Sequence, residues 1–422
     1  MKSPNRLTSH PESPLTPSSG SLDITRRKFL AGAGATAFGL TILRPELLGA
    51  AEANSKIDIG IVGCGGRGAW IADCFVKHGN FNVVAIADYF PDRADGLGDK
   101  LKIPAAKRFT GLSGYKRLLE EKLDAVAIET PPYFHPEQAA AAVAAGKHVY
   151  LAKPVAVDVP GCQAIAESGR KATQKRLAFL VDFQTRAMPA YQEIVARVHK
   201  GDIGKLVSIS AEYQTSLYFE KLDAEVRKAP DSPEVRLRSW AIDRVLSGDV
   251  ILEQNIHALD VASWFANSNP IKAVGHGARA RPFIGDCWDH YSVLFYYPGD
   301  LVVNFSAKQV GFGFDDIMAR AHGMSGTAAT SYGNRCWLRS RDDVFEGKTD
   351  GIYLTGVQNN MTAFYDSITR GDFSNSTVAP SVRSSLTAIL GRTAAYQRTE
   401  VTWDHILRAK DKWHFDPKGL KG

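Results

Sequence analysis

Apolar and polar positions alternate in short blocks between residue 56 and about residue 183. Short continuous apolar runs predict strands, and the amphipathic stretches between them predict helices. The predicted strands are 57–62, 82–87, 125–129, 148–151 and 178–183, and the predicted helices are 67–77, 113–121, 136–145 and 159–173. Strands that alternate with helices pair in parallel, and continuously apolar strands are buried on both faces. The pattern therefore predicts an α/β domain with a doubly wound parallel sheet.

The pattern changes after residue 185. After a helix near 189–200, the strand-like runs are 205–213, 271–280, 290–297, 301–308 and 315–322, and further helices are predicted at 249–266, 358–370 and 380–397. Strands this closely spaced leave no room for crossover helices, which favours antiparallel pairing. We therefore predict a second, α+β domain with an open, mostly antiparallel sheet. The charged segment 217–238 is predicted to be a surface excursion or a lid.

The first 53 residues read as an export segment that precedes the folded domains. Thr25-Arg26-Arg27-Lys28-Phe29-Leu30 resembles the twin-arginine motif, and the apolar run that follows, 29–43, has fifteen residues. A membrane-spanning helix needs roughly 18 or more, whereas Ala51-Glu52-Ala53 offers a cleavage site. An uncleaved anchor and a chance arginine pair before a buried helix remain alternatives. The predicted domains are 1–53 for the signal, 54–183 for the first domain and 184–422 for the second.

Composition excludes several classes of protein. The net charge of +6 is spread over 422 residues without a basic cluster after the signal, so no nucleic-acid partner is expected. The five cysteines are scattered and have no C-x-x-C spacing, which argues against a disulfide framework or a zinc site. We expect no metal and no stable membrane association.

A glycine cluster between the first strand and the first helix carries the clearest chemistry. It reads G-x-G-x-x-G and consists of Gly63, Cys64, Gly65, Gly66, Arg67 and Gly68. Twenty residues further on, the second strand-like run ends in Asp88. This is the spacing of a dinucleotide-binding βαβ unit, in which the acid binds the ribose hydroxyls. A carboxylate at Asp88 repels a 2′-phosphate, and residues 89–92 hold no Arg or Lys to bind one. NAD is therefore favoured over NADP.

Three further segments hold candidate catalytic groups. His135 follows Thr130 and Pro131 at the end of the third strand-like run, where its simplest interpretation is a polar residue at a helix start. Lys153 follows the fourth run and precedes a proline, although spacing alone fits a surface lysine equally well. On the predicted helix 249–266, Glu253 and His257 share a face, and Asp260 follows on the same side. A carboxylate beside an imidazole suits proton transfer, a plain helix-surface pair or a metal-binding face.

Together these segments resemble the Gfo/Idh/MocA oxidoreductase family over nearly the whole chain after residue 55. The likeness is carried by the glycine cluster, Thr130-Pro131 with His135, the Gly146–Pro154 segment, and the acid-x-x-x-His helix. Gln184 and Arg186, followed by Gly201-Asp202-Ile203-Gly204-Lys205, also match. The resemblance implies a Rossmann domain, a second domain that often forms oligomer contacts, and NAD(P)-dependent oxidation or reduction of a hydroxyl on a sugar or polyol.

The resemblance also implies roles for single residues. Lys153 would polarise the substrate hydroxyl, His257 would act as general base, and Glu253 would orient His257. Gln184 and Arg186 would line the cofactor or substrate cleft, and Thr130, Pro131, His135 and Lys153 would contact the cofactor. Two positions depart from the family pattern, because Ala152 stands where Glu is usual and Glu253 stands where many members have Asp.

Export and nucleotide binding together constrain the expected chemistry. A protein exported by the twin-arginine translocase to the periplasm would carry its NAD through the membrane already bound, and would have to recycle it in place. We therefore expect an oxidoreductase with a tightly held cofactor that acts on a sugar, polyol or glycoside and forms a homo-oligomer. The resemblance leaves two alternatives, a redox-neutral NAD-dependent glycosidase that acts through a transient keto-sugar, and a sugar-binding protein without activity.

Overall fold

The computed structural model describes residues 56–216, 220–281 and 285–422. The predicted export segment 1–53 lies outside these ranges, as do residues 217–219 of the predicted lid. The described residues from 56 onward form one compact unit. In the described part of the chain, no helix is long and apolar enough to cross a membrane.

The first half of this unit is a parallel sheet with helices between its strands. Its elements are β1 (Ile57–Val62), α1 (Gly66–His78), β2 (Phe81–Asp88), α2 (Pro91–Leu101), β3 (Arg108–Thr110), α3 (Gly114–Leu119), β4 (Ala125–Ile128), α4 (His135–Ala144), β5 (His148–Ala152), α5 (Val159–Gln174) and β6 (Phe179–Asp182). The strand order is β3-β2-β1-β4-β5-β6, and every neighbouring pair is parallel. This confirms the predicted doubly wound sheet, whereas the sequence pattern missed β3 and α2.

The second half contains a larger mixed sheet and most of the remaining helices. Its elements are α6 (Pro189–Lys200), β7 (Leu206–Thr215), α7 (Glu220–Lys228), α8 (Pro233–Arg238), α9 (Arg244–Ser247), α10 (Val250–Glu253), α11 (Ile256–Ala266), β8 (Lys272–Ala278), β9 (His290–Tyr296), β10 (Val302–Gln309), β11 (Asp316–Gly323), β12 (Gly326–Ser331), β13 (Arg335–Ser340), β14 (Val344–Lys348), α12 (Ile352–Arg370), α13 (Val378–Gln397), β15 (Val401–Thr402) and α14 (Trp403–Leu407).

The larger sheet has the order β14-β13-β12-β11-β7-β10-β9-β8-β15. All of its neighbouring strands are antiparallel except β7 and β10, which run parallel. The prediction of a mostly antiparallel sheet is therefore confirmed, although β12 to β15 were not foreseen. Helices α11 and α13 pack on one face of this sheet, so that its apolar side is buried in the main core.

The chain returns to the first sheet near its C-terminus. Helix α12 lays Val357, Met361 and Phe364 against a core that also contains Phe75 and Tyr150. The rings of Phe364 and Tyr150 meet edge to face with centroids 5.7 Å apart. A helix from the second half therefore covers one face of the parallel sheet, and it brings side chains to the carboxyl ends of that sheet's strands.

Candidate functional site

The glycine turn between β1 and α1 has the geometry of a phosphate cradle. Gly63 has a φ of +97°, which favours glycine, and a Cβ built on Gly68 would lie 1.8 Å from the Gly63 carbonyl oxygen. A Cβ on Gly65 would meet only the Arg93 guanidinium, at 3.6 Å, and one on Gly66 would meet nothing within 4 Å. No side chain caps the start of α1. Open space before free N–H groups and a positive helix end fits the pyrophosphate of a dinucleotide.

Asp88 has a structural role in addition to the ribose-binding role that its spacing predicted. Its Oδ2 accepts a hydrogen bond from the backbone N–H of Cys64 at 2.7 Å, and its Oδ1 accepts one from Phe90 N–H at 2.9 Å. The carboxylate therefore fixes the glycine turn from the end of β2. It also lines the same cavity as the turn. Burial raises the pKa of this carboxyl above its usual range, and the two backbone N–H donors oppose that shift.

The cavity continues from the glycine turn past Asp88. Thr130 and Pro131 lie on its wall beside the turn, as predicted, and the Thr130 hydroxyl donates to the side chain of Gln138 at 2.6 Å. Beyond Asp88 the cavity reaches Phe90. In a Rossmann sheet the acid at the end of the second strand binds the adenosine ribose. The part of the cavity beyond Asp88 is therefore the adenine end.

His135 lies outside this cavity, at the start of α4. It is fully buried, with its two ring nitrogens 2.8 Å from the Thr130 carbonyl and 2.9 Å from the Pro154 carbonyl. Burial lowers its pKa to about 4, so near neutral pH the ring is neutral and its single N–H donates to only one of the two carbonyls. The structure contradicts the prediction that His135 contacts the cofactor, because the ring is fully buried between the loop after β4 and the loop after β5.

Lys153 and Glu253 meet at the carboxyl end of β5. The Lys153 Nζ lies 3.2 Å from Glu253 Oε1 and 2.5 Å from the Glu253 backbone carbonyl oxygen. Both side chains are about nine-tenths buried. The sequence pattern predicts both residues at one site, but with Glu253 paired to His257 instead.

The predicted helix 249–266 is interrupted at this contact. In a continuous helix the Glu253 carbonyl would accept the N–H of His257. Here the Lys153 ammonium donates to the Glu253 carbonyl, and the His257 N–H donates to the Gln254 carbonyl at 3.4 Å instead. Helix α10 therefore ends at Glu253, and α11 begins at Ile256. The break removes the expected i, i+4 pairing, and the Gln254 amide takes the second oxygen of Glu253.

His257 remains beside this pair as a neutral imidazole. Its Nδ1 is buried and has no hydrogen-bond partner among the described residues. Its ring centroid lies 5.7 Å from that of Tyr332. Burial lowers the pKa of His257 well below its ordinary value, and the positive charges of Lys153 and Arg67 lower it further. An uncharged ring near a lysine can accept a proton from a substrate hydroxyl.

Arg67 stands at the centre of a buried polar cluster that the glycine motif alone did not reveal. Its Nη2 lies 2.5 Å from Asp182 Oδ2, and its Nε lies 3.4 Å from Glu129 Oε2. From α12, Tyr353 accepts from Arg67 Nη1 at 3.0 Å, and Asn360 donates to Asp182 Oδ1 at 2.7 Å. The guanidinium is therefore fixed by the sheet edge and by the returning helix.

Glu129 and Asp182 flank the position where the sequence departs from the family pattern. Ala152 pairs in register with Asp182, and Glu129 follows the β4 residue that pairs with Leu151. Carboxylates thus stand on the strands at either side of Ala152. Burial raises the pKa of Glu129 to about 8, although the charge of Arg67 opposes the shift. The carboxyl edge of the sheet therefore carries acidic side chains on the two strands beside β5, although the family's usual Glu is replaced by Ala152 on β5 itself.

Gln184 and Arg186 form hydrogen bonds with different partners. Gln184 is buried, and in the orientation that satisfies its hydrogen bonds its amide oxygen accepts from Arg67 Nη2 at 2.7 Å. Arg186 instead forms a bidentate pair with the fully buried Asp260, at 2.8 to 3.0 Å. It does not line the nucleotide cavity. Arg186 is therefore held by Asp260 in the structure, and its expected role in the cofactor or substrate cleft stays a prediction.

Sequence reasoning could have identified some of the residues that it missed. Glu129 is the last residue and Asp182 the last but one of two predicted apolar strands, so both belong to the edge where open α/β sheets bind ligands. Tyr353 and Asn360 carry no such signal, because α12 reaches the site from the far end of the chain. Among the described residues, no three His, Cys, Asp or Glu side chains are grouped so that they could hold a metal ion.

Comparisons with known proteins agree with this arrangement. Residues 57–180 match the model of an oxidoreductase family with an NAD-binding Rossmann fold, and residues 191–329 match the GFO/IDH/MocA C-terminal domain. An inositol 2-dehydrogenase of Acidothermus cellulolyticus is 27% identical over 258 residues, which cover 59% of this chain and 64% of that protein. The alignment therefore spans less than two thirds of that relative.

Two solved structures have the same fold. An oxidoreductase domain protein from Kribbella flavida superposes with a TM-score of 0.70 at 19% identity, covering 82% of this chain and 99% of the other. An aldose–aldose oxidoreductase from Caulobacter crescentus, complexed with glycerol, gives a TM-score of 0.67 at 17% identity, with coverage of 82% and 99%. At these identities the likeness establishes the fold.

Proposed function

The chain belongs to the Gfo/Idh/MocA oxidoreductase family, and on that premise we propose that it transfers hydride between NAD(H) and a hydroxyl group of a polyol or sugar. One observation carries the proposal: the Lys153–Glu253 pair stands beside the neutral His257 at the carboxyl edge of the nucleotide-binding sheet. The nicotinamide, when bound, supplies the acceptor or donor of the hydride. The protein supplies the groups that hold the substrate hydroxyl and move its proton.

The three side chains divide this work. An ammonium group has three N–H donors, and Glu253 accepts from Lys153 with its backbone carbonyl and its carboxylate. One donor of Lys153 is thus left for the substrate oxygen, and its charge stabilises the alkoxide that develops there. His257 accepts the hydroxyl proton during oxidation and returns it during reduction. Glu253 acts on Lys153 rather than on His257, as the pairing distances support.

The preference for NAD follows from Asp88. Its carboxylate lines the cavity where the ribose would lie and disfavours an additional phosphate there. Similarity to an inositol 2-dehydrogenase supports a polyol as the first substrate class to test. Since the same three residues would serve a glycosidase that oxidises its sugar transiently, the product must be identified as well as the cofactor.

The experiment starts from the purified full chain without added nucleotide. Denaturation and mass spectrometry identify any nucleotide that co-purifies, and NADH absorbance then follows oxidation of inositols, open-chain polyols and aldoses. A ketone or lactone product supports the proposal, whereas release of free sugar from glycosides supports the redox-neutral reaction instead. If neither NAD nor NADP binds, or if no member of either substrate set reacts, the proposal is wrong.

We further propose that residues 1–53 direct export of the folded protein by the twin-arginine translocase to the periplasm, and that the protein forms homo-oligomers. The Arg26-Arg27 pair supports export, and the exposed Val207 and Leu294 on the larger sheet support self-association. Cell fractionation tests export, because Arg26→Lys/Arg27→Lys should retain the protein in the cytoplasm. Light scattering of the purified chain tests self-association, and a monomeric mass would contradict it.

A further inference from the structure

Residues from outside the parallel sheet form part of the wall at the adenine end of the nucleotide cavity. Leu237 near the end of α8 and Trp240 in the turn after it line the cavity together with Tyr89 and Phe90. Leu237 is almost fully buried and packs with Phe90 in a small apolar cluster. The second half of the chain therefore forms one wall of a site that the sequence motif assigned to the first half alone.

The C-terminal tail supports this wall from the outside. Phe415 is buried in the same small cluster, and its backbone N–H donates to the Tyr133 hydroxyl at 3.3 Å. Further on, the Lys421 carbonyl accepts from the N–H of Leu112, a cavity-lining residue, at 3.0 Å. We call residues 233–242 together with residues 413–422 the cover.

Polar contacts fasten the cover to the end of β2. The Tyr89 hydroxyl donates to Glu234 at 2.7 Å and accepts from Lys421 N–H at 3.2 Å, so one group holds both parts. Arg238 forms two hydrogen bonds with Asp92, at 2.9 and 3.0 Å. Its guanidinium also lies 3.9 Å from the centroid of the Phe90 ring.

These contacts are weaker than those of the rest of the fold. The side chains of Arg238 and Asp92 are 42% and 62% exposed, and exposed ion pairs contribute little because water screens them. The apolar cluster has four buried members, separate from the two larger cores. Segments with few buried contacts and exposed polar bonds open more readily than the global fold.

We propose that the cover is a gate that keeps the bound nucleotide from exchanging, so that its opening sets the rate at which NAD(H) leaves. This inference rests on the proposed function and deepens it, because a slowly exchanging cofactor must be reoxidised or reduced in place by a second substrate. Leu237 and Trp240 form part of the cavity wall, so movement of this segment widens the path by which an adenine group held there leaves. Loop opening limits release in many enzymes.

The test is the dissociation rate of NADH from the purified full chain, measured by stopped-flow fluorescence with excess NAD as competitor. Arg238→Asp and Asp92→Arg each place like charges together at the cover and should speed release by about fivefold or more. The double variant restores the pair and should bring the rate back within about twofold of wild type. Tyr89→Phe, which removes the hydroxyl shared by Glu234 and Lys421, should speed release without any change of charge.

Arg170→Asp is the matched control, because Arg170 and Glu167 form a similarly exposed pair on α5. Thermal unfolding is measured for every variant to confirm that it folds. Unchanged release in the single variants, equal acceleration in the control, or no recovery in the double variant would overturn the gate. A wild-type chain that binds no NADH would overturn the proposed function together with the gate, whereas normal binding with unaltered release would overturn the gate alone.

Discussion

Replacing Lys153 with Met tests how the site divides its work. Met keeps the length and apolar stem of the side chain but removes the ammonium group that bonds to Glu253. A hydrogen bond to a charged group contributes about 1.5–3 kcal/mol. If one N–H of Lys153 holds the substrate oxygen, kcat/KM should fall by about 10- to 150-fold.

The same substitution should change the pH dependence. The positive charge of Lys153 is one of the causes that lower the pKa of His257, after burial and before Arg67. Without it the pKa of His257 rises, and a base with a higher pKa becomes protonated at a higher pH. The acidic limb of kcat/KM for alcohol oxidation should therefore move upward in Lys153→Met relative to wild type.

The assay is NADH formation at saturating NAD, with kcat/KM measured across pH. Lys147→Met is the control, because Lys147 also donates to two carbonyl oxygens, those of Glu121 and Leu123, but lies at the amino end of β5, opposite the carboxyl end that carries Lys153. It should keep the wild-type profile. A loss of less than about threefold in Lys153→Met, or an acidic limb that stays in place or moves downward, would refute the assigned roles.

Three further predictions address the base, the cofactor and the buried histidine. His257→Ala should lower kcat by about 10²–10⁴-fold, and a loss below threefold in steady-state assays would remove His257 as the base. Asp88→Asn keeps an acceptor for the glycine turn but removes the charge, so the NADP-to-NAD affinity ratio measured by titration calorimetry should rise by at least about fivefold; an unchanged ratio would contradict the role in selectivity. The pKa of His135 is about 4 in the folded chain and about 6.5 in the unfolded chain. Between these two pH values the unfolded chain binds one more proton than the folded chain. About 3 kcal/mol of the free energy of unfolding should therefore be lost as pH falls from 6.5 to 4. Denaturant unfolding of His135→Asn should not show this pH-dependent loss of stability. If the wild-type chain were instead more stable at low pH, the two carbonyls would both be accepting from a charged ring.

Local sequence signals were sufficient for the parallel sheet and for one end of the site. The glycine turn, the strand before it and Asp88 all lie within 32 residues, and each requirement concerns neighbouring backbone, such as the positive φ of Gly63. The class of the second sheet, open and mostly antiparallel, was predicted correctly, because its strands follow one another too closely for crossover helices between them. Its later strands β12 to β15 were missed, since short half-exposed strands carry little apolar pattern.

The contacts that define the catalytic end depended on the tertiary structure. Lys153 and Glu253 are 100 residues apart, and the carbonyl that Lys153 takes is the one that a continuous helix would have used for His257. The helical pattern therefore predicted that Glu253 forms a side-chain pair, but it assigned the wrong partner. Arg186 and Asp260 show the same effect, because they form an ion pair across 74 residues that the sequence pattern did not predict.

The sequence by itself thus determined the family, the fold class, the nucleotide cradle and the identity of the catalytic candidates, because those features depend on short-range spacing and periodicity. Only the tertiary structure decided which side chains pair, why the helix ends at Glu253 and which segments enclose the adenine end. Arg67 meets Tyr353 across 286 residues, and Leu112 meets Lys421 in a similar way. Such contacts form because the packed core brings distant segments together, and they cannot be predicted from the pattern of residues along the chain.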